Sequence, residues 1–158
     1  MTETHHLADE AETLAFGQVL AGRLEQGGVV YLSGDLGAGK TTLVRGILRA
    51  FGFTGRVKSP SYGLIESYEL DGLTVHHLDL YRLGHGEEIE YLGLEDLFHG
   101  PTLLLIEWPE KGQGYLPAAT TVIHLADRVD GGRVLSLAKP GGERREDGKG
   151  KREKGKSL

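Results

Sequence analysis

Apolar residues recur at helical spacing from Asp9 to about Leu24. Leu14, Ala15, Phe16, Leu20, Ala21 and Leu24 supply the face, and Asp9-Glu-Ala-Glu12 before them has the cap-x-x-Glu layout of a helix start. Gln26-Gly-Gly28 ends that period. In Val29-Val-Tyr-Leu-Ser33 the apolar residues adjoin instead of alternating, which predicts a short strand covered on both faces. The helical period returns from Lys40 to about Phe51, with Leu43, Ile47 and Leu48 on the buried side. Tyr62 to Leu70 and Leu73 to Leu78 flank Asp71-Gly72, a preferred two-residue hairpin turn, so an antiparallel pair is expected. Glu87 to Phe98 is patterned as a helix with a break at Gly93. Thr102 to Ile106 is a buried strand by its continuous apolar run, and Thr120 to Leu125 with Arg133 to Leu137 form a second hairpin across Asp130-Gly-Gly132. The sum is α/β: a mixed sheet with helices.

At 158 residues the chain fits one domain with a tail, assigned here as 1–138 and 139–158. Residues 1–138 carry 10 Lys/Arg and 19 Asp/Glu, a net −9, whereas residues 139–158 carry 8 and 4, a net +4. The acidic body argues against non-specific binding to nucleic acid, DNA included, because neutralising phosphates needs a basic face. The tail has almost no apolar surface to offset the entropy of ordering it and is expected to be disordered, a solvated terminus or a basic arm that touches RNA. No Cys occurs, which excludes disulfides, thiolate metal ligands and a cysteine nucleophile. No apolar run approaches the roughly 18 residues of a membrane span, and the first residues lack the layout of a signal peptide, so a cytoplasmic protein with no membrane partner is expected.

The segment between the first strand and the second helix carries the chemistry. Gly34-Asp-Leu-Gly-Ala-Gly39-Lys40-Thr41 matches the phosphate-loop pattern Gly-x-x-x-x-Gly-Lys-[Ser/Thr]. Glycines at 34, 37 and 39 let successive N–H groups turn inward around anionic oxygens, and the helix that follows adds its positive end. Asp35 and Ala38 belong to the same loop. Lys40 is expected to set its ammonium on the terminal phosphates, the Thr41 hydroxyl to ligate Mg²⁺, and Thr42 to reach an inner phosphate. The metal also needs an acid at the carboxyl end of a sheet strand. Glu107 ends Leu103 to Ile106 and Asp79 ends Val75 to Leu78; either could hold the metal through water or orient the attacking water. Trp108, the single Trp, stacks near the nucleotide, forms part of a partner surface or belongs to the core, and strand alternation would turn it away from Glu107. Arg82 is either a charge-stabilising group or a surface ion pair. His76 and His77 adjoin on a strand and must face opposite ways, so they form no metal site.

Four motifs stand in order: Gly34-Asp-Leu-Gly-Ala-Gly-Lys-Thr-Thr42, Ser59-Pro-Ser-Tyr62, His77-Leu-Asp-Leu-Tyr-Arg82 and Ile106-Glu-Trp-Pro-Glu110. Together they resemble the TsaE (YjeE) family of small ATPases over about residues 10–125. The resemblance implies a small P-loop NTPase with a mixed, mostly parallel central sheet flanked by helices and an antiparallel hairpin. It also implies ATP and Mg as cofactors. TsaB-like and TsaD-like partners would join it in making threonylcarbamoyladenosine on tRNA, with ATP hydrolysis resetting the partner complex and tRNA met indirectly or through the tail. In that pattern Lys40, Thr41 and Thr42 match the nucleotide loop, Asp79 the acid of His-x-Asp-x-Tyr-Arg, which His77 orients, and Glu107 and Trp108 the Walker B pair. Ser61 and Tyr62 stand where Thr and Phe are usual, which keeps a hydroxyl and a ring. Pro60 holds Ser59 extended, so that its hydroxyl can face the nucleotide as a switch.

Adenine is favoured over guanine, because the guanine-reading Asn-Lys-x-Asp pattern needs Asn and the chain has none. The alternative function is a small-molecule kinase, which would need an acceptor pocket and an arginine-bearing lid. No arginine-rich lid segment is present.

Overall fold

The computed structural model describes residues 2–140 apart from 36, 38, 58, 59 and 61–63. Its elements are β1 (Thr2–Leu7), α1 (Glu10–Arg23), β2 (Gly28–Gly34), α2 (Lys40–Ala50), β3 (Ile65–Leu70), β4 (Leu73–Asp79), β5 (Thr102–Glu107), β6 (Thr121–Asp127) and β7 (Arg133–Ala138). Short 3-10 helical segments occupy Gly86–Leu92, Leu94–Leu97 and Pro109–Gly112.

The strands form one sheet in the order β1-β7-β6-β2-β5-β4-β3. The four central strands, β6, β2, β5 and β4, run parallel, and antiparallel hairpins flank them: β3 with β4, and β6 with β7, whose far side takes β1. This is the mixed, mostly parallel α/β sheet expected of a small phosphate-loop fold. The apolar residues adjoin in β2 and β5 because both faces are covered. Val30, Leu32, Leu103 and Leu105 pack under α1 and α2 with Leu43 and Ile47. Val29, Leu104, Ile106 and Leu78 face the other way and meet Leu80, Ile89 and Leu94 around the 3-10 segments.

α1 starts as its sequence predicts: Asp9 is extended, its side chain accepts from the Glu12 N–H at 3.0 Å, and the Glu12 carboxylate accepts from the Ala8 N–H at 2.8 Å. α1 and α2 touch through glycines. A Cβ on Gly17 would lie 2.6 Å from the Leu43 carbonyl oxygen and 2.9 Å from Gly46 Cα, and a Cβ on Gly46 would meet the Leu14 carbonyl. Backbone therefore lies against backbone, and α2 is set close over the sheet with its first turn at the end of β2.

Two elements depart from the expectation. Thr2–Leu7 is an edge strand paired with β7, although its sequence is polar on both sides and only Leu7 is buried. The helix expected over Glu87–Phe98 is instead two 3-10 segments parted at Gly93, whose φ of 64° ends the first. The left-handed Gly93 interrupts the stretch, and the one like-charge pair at helical spacing, Glu87 and Glu90, adds a small penalty against an α-helix. No helix among the described residues is long and apolar enough to cross a membrane. β7 ends at Ala138, and of the expected tail 139–158, residues 141–158 lie outside the described residues.

Candidate functional site

β2 ends where the loop begins. Gly34, Gly37 and Gly39 have φ of 140°, 81° and 103°, values that side chains with a Cβ rarely adopt. Gly39 caps α2 and brings no side-chain cap of its own, in contrast to Asp9 at α1. The positive end of α2 faces the loop, the arrangement that favours an anion at a helix N-terminus. Lys40 is only 5% exposed. Its Nζ donates to the carbonyl oxygens of Gly34 at 2.5 Å and Asp35 at 2.9 Å and lies 4.6 Å from the centre of the Trp108 ring. Burial lowers the Lys40 pKa below its usual 10.5, against the pull of Glu107, Asp79 and Asp35.

Opposite the loop, parallel pairing of β4 with β5 sets Asp79 directly across from Glu107. Glu107 is 3% exposed. Its Oε2 accepts from His77 Nε2 at 2.7 Å and from the Thr41 hydroxyl at 3.4 Å. His77 is fully buried, and its Nδ1 has no hydrogen-bond partner among the described residues. Asp79 is half-buried and accepts from the Tyr81 N–H through Oδ1 at 3.0 Å. Burial raises its pKa; the Tyr81 bond opposes the shift, and the Glu107 charge adds to it.

These groups line one cavity of about 500 Å³ at the carboxyl ends of β2, β4 and β5, where open α/β sheets take ligands. Gly37, Gly39, Lys40, Thr41 and Thr42 form one side, and Asp79, Glu107 and Trp108 form the other. The expectation that Trp108 turns away from Glu107 is corrected: Trp108 has φ of 60°, so strand alternation ends at Glu107 and both side chains line the cavity. Tyr81 packs against the Trp108 ring with centroids 5.0 Å apart. Arg82 is exposed and does not line the cavity.

Sequence reasoning did not single out Arg133, Glu10 or Thr13, which complete the lining. Arg133 opens β7, bonds the Gly37 carbonyl at 3.1 Å and pairs with Asp127 at 3.3 Å. It stands 96 residues from Gly37, and only the order of strands brings the two together. Glu10 accepts from the Thr42 hydroxyl at 3.4 Å and lies 3.8 Å from Arg45. The helix-start pattern that marks Glu10 says nothing of α2 beside it. Asp35 contributes its backbone carbonyl, while Ala38, Ser59, Ser61 and Tyr62 lie outside the described residues.

The donors fit a hard cation. Thr41, Asp79 and Glu107 offer oxygen only, as Mg²⁺ prefers. No group of three or more His, Cys, Asp or Glu side chains able to hold a metal occurs among the described residues.

The family model described as "Threonylcarbamoyl adenosine biosynthesis protein TsaE" matches residues 7–135. Among curated proteins, the chain is similar to the tRNA threonylcarbamoyladenosine biosynthesis protein TsaE of Haemophilus influenzae, at 46% identity over 139 residues, 85% of this chain and 87% of the other. It is 35% identical to the protein of the same name from Bacillus subtilis over 130 residues, 82% of this chain and 81% of that one. Among solved structures, a crystal structure of Bacillus subtilis YdiB superposes with a TM-score of 0.76 at 30% identity, covering 93% of this chain and 90% of that one.

Proposed function

Because the chain belongs to the TsaE family, with a role in tRNA threonylcarbamoyladenosine biosynthesis, we propose that it fills that role as a Mg²⁺-dependent ATPase. Hydrolysis resets a complex of TsaB-like and TsaD-like partners. The observation that carries this reading is the convergence of the Lys40 ammonium, the Thr41 hydroxyl and the Glu107 carboxylate on one cavity beside a loop of left-handed glycines.

The residues divide the work by their chemistry. Backbone N–H groups between Gly34 and Thr42 and the positive end of α2 hold phosphate oxygens. Lys40 exchanges its two carbonyl acceptors for the β and γ oxygens, where it offsets charge that builds during phosphoryl transfer. Thr42, beside Thr41 on the first turn of α2, reaches an inner phosphate. Thr41 and one of the two acids hold Mg²⁺ directly or through water. Held there, the ion would supply positive charge against the negative charge that develops in phosphoryl transfer. The remaining acid orients the attacking water. Glu107 is the better candidate for the fixed position because two groups hold its Oε2, whereas Asp79 is held by one backbone N–H. Trp108, against Lys40, senses the exchange.

The test mixes the full chain with ATP and Mg²⁺, with and without the two partner proteins, and follows phosphate release and Trp108 fluorescence. Slow release that the partners stimulate is expected. ATP use that depends on an added metabolite would instead identify a kinase. Lys40→Ala should lower nucleotide affinity about 10- to 100-fold, the worth of charge-assisted hydrogen bonds. Glu107→Ala should keep binding and lose turnover. Unchanged affinity in the first variant, or wild-type hydrolysis in the second, overturns the corresponding role.

A further inference from the structure

The imidazole of His77 is one of the least expected groups in the sheet. It sits in β4 across from Leu105 and has no exposed surface. An aliphatic side chain, such as Val75 and Leu78 nearby, would fill a covered strand position without leaving a ring nitrogen unpartnered. The unpartnered Nδ1 is a cost to folding that packing does not explain, and such costs collect at functional sites. What the residue gains is a single short bond: Nε2 donates to Glu107 Oε2 at 2.7 Å, running diagonally across the β4–β5 ladder. The tautomer follows from the acceptor, since a carboxylate oxygen needs Nε2–H.

The direction of that bond matters. In-register pairing places the Asp79 and Glu107 carboxyl groups side by side at the strand ends. Two neighbouring carboxylates repel, and a side chain left unheld would swing away from the other. His77 holds Glu107 at Oε2, the same oxygen that accepts from Thr41 on the other side of the cavity. The carboxylate is thereby spanned between β4 and the first turn of α2.

From this geometry we propose that His77 is the positioning residue that fixes the Glu107 carboxylate against Thr41, so that its bond is expressed in Mg²⁺ use and turnover and not in the hold on the nucleotide. The inference rests on the ATPase reading above. It touches no substrate atom and requires no change in the charge of His77.

The experiment compares wild type with His77→Leu, which keeps bulk and removes the donor, and with His77→Gln, whose amide can donate from nearly the same place as Nε2. The full chain is used with its two partner proteins. Three quantities are read: ADP affinity in EDTA by Trp108 fluorescence, the Mg²⁺ concentration for half-maximal fluorescence change with ADP, and kcat and KM for phosphate release. His77→Leu should leave the EDTA affinity within about twofold, raise the Mg²⁺ requirement and lower kcat about 10- to 100-fold, as loss of an outer-shell partner does. His77→Gln should recover most of both.

Should His77→Leu fail to fold, His77→Asn takes its place, because its shorter amide cannot reach Glu107, and it should behave as the Leu variant was expected to. The inference is overturned by equal kcat in a folded donor-less variant, by a Gln variant no better than that variant, or by EDTA affinity falling in parallel with kcat. A wild-type chain that neither binds ADP nor hydrolyses ATP overturns the ATPase reading, and this inference with it. Normal wild-type turnover with an unaffected Leu variant removes this inference alone.

Discussion

Asp79 is a carboxyl group that burial penalises when it is ionised. Half-buried and across from Glu107, it has a pKa above 3.8, mainly because burial disfavours its ionised form. A folded-state pKa above the unfolded value means that the native protein takes up the proton first on acidification. Stability is therefore gained as pH falls through the raised pKa toward 3.8, and at neutral pH the ionised group is a net cost. Asp79→Asn keeps an oxygen for the Tyr81 N–H and drops the charge. Thermal melts at pH 7 should show the variant more stable than wild type by at most about 1 kcal/mol, the ceiling that solvent screening allows at a half-exposed site. The gap should close as the pH is lowered toward 3.8. Phosphate release should fall with the same substitution, a trade of activity for stability. A lower Tm at pH 7 would show that Asp79 supports the fold and would contradict the electrostatic account. At this scale the sequence was most informative about Lys40, Thr41 and Glu107, because a loop pattern and a strand end are local features. It was misleading about Trp108, because a φ of 60° at the end of a strand leaves no trace in apolar spacing.

The position of α2, and with it the first turn that carries Lys40 and Thr41, depends on how closely α1 can approach. Gly17 and Gly46 make the contact, and a methyl group on Gly46 would run into the Leu14 carbonyl of the facing helix. Gly46→Ala should therefore destabilise the protein by about 1–3 kcal/mol in urea titrations, the usual range for overpacking. It should also weaken nucleotide binding by shifting the loop. Gly22 provides the contrast. It lies in α1 with open space around its would-be Cβ, so Gly22→Ala should stabilise by about 0.5–1 kcal/mol through helix propensity alone. If both variants shifted stability the same way, the close approach of the helices would not be what Gly46 serves. The apolar patterns of α1, β2, α2, β5 and the two hairpins are legible because one or both faces of each are buried. β1 was not, since an edge strand with five of its six residues outside the core has no apolar alternation to show and gains its place from hydrogen bonds to β7. The stretch from Gly86 to Leu97 was legible as helical and not as 3-10, a distinction set by local hydrogen bonding and the left-handed Gly93.

The order of strands is a property of the whole molecule, and it explains why most of the cavity lining is legible in the sequence while Arg133 is not. Gly34 to Thr42, Asp79 and Glu107 each announce themselves locally, whereas Arg133 reaches Gly37 only because β7 returns beside β6, next to β2. That arrangement also says what the basic tail can and cannot do. β7 ends at Ala138, already paired with Thr2 of β1 and Val122 of β6, so removing residues 139–158 takes no partner from any described strand. The truncated chain should melt at the same temperature and bind ADP with the same affinity. It loses 8 Lys/Arg and 4 Asp/Glu, however, and leaves a body of net charge −9, which repels phosphate. If the tail is an arm for tRNA, the full chain should bind tRNA with an affinity that falls with log salt at about 0.7–0.9 per phosphate neutralised, and truncation should lower both affinity and slope. Equal slopes for the two chains would leave the tail no electrostatic part in tRNA contact. Any contact of this protein with tRNA would then have to come from elsewhere than the tail, and a body of net charge −9 is poorly suited to supply it.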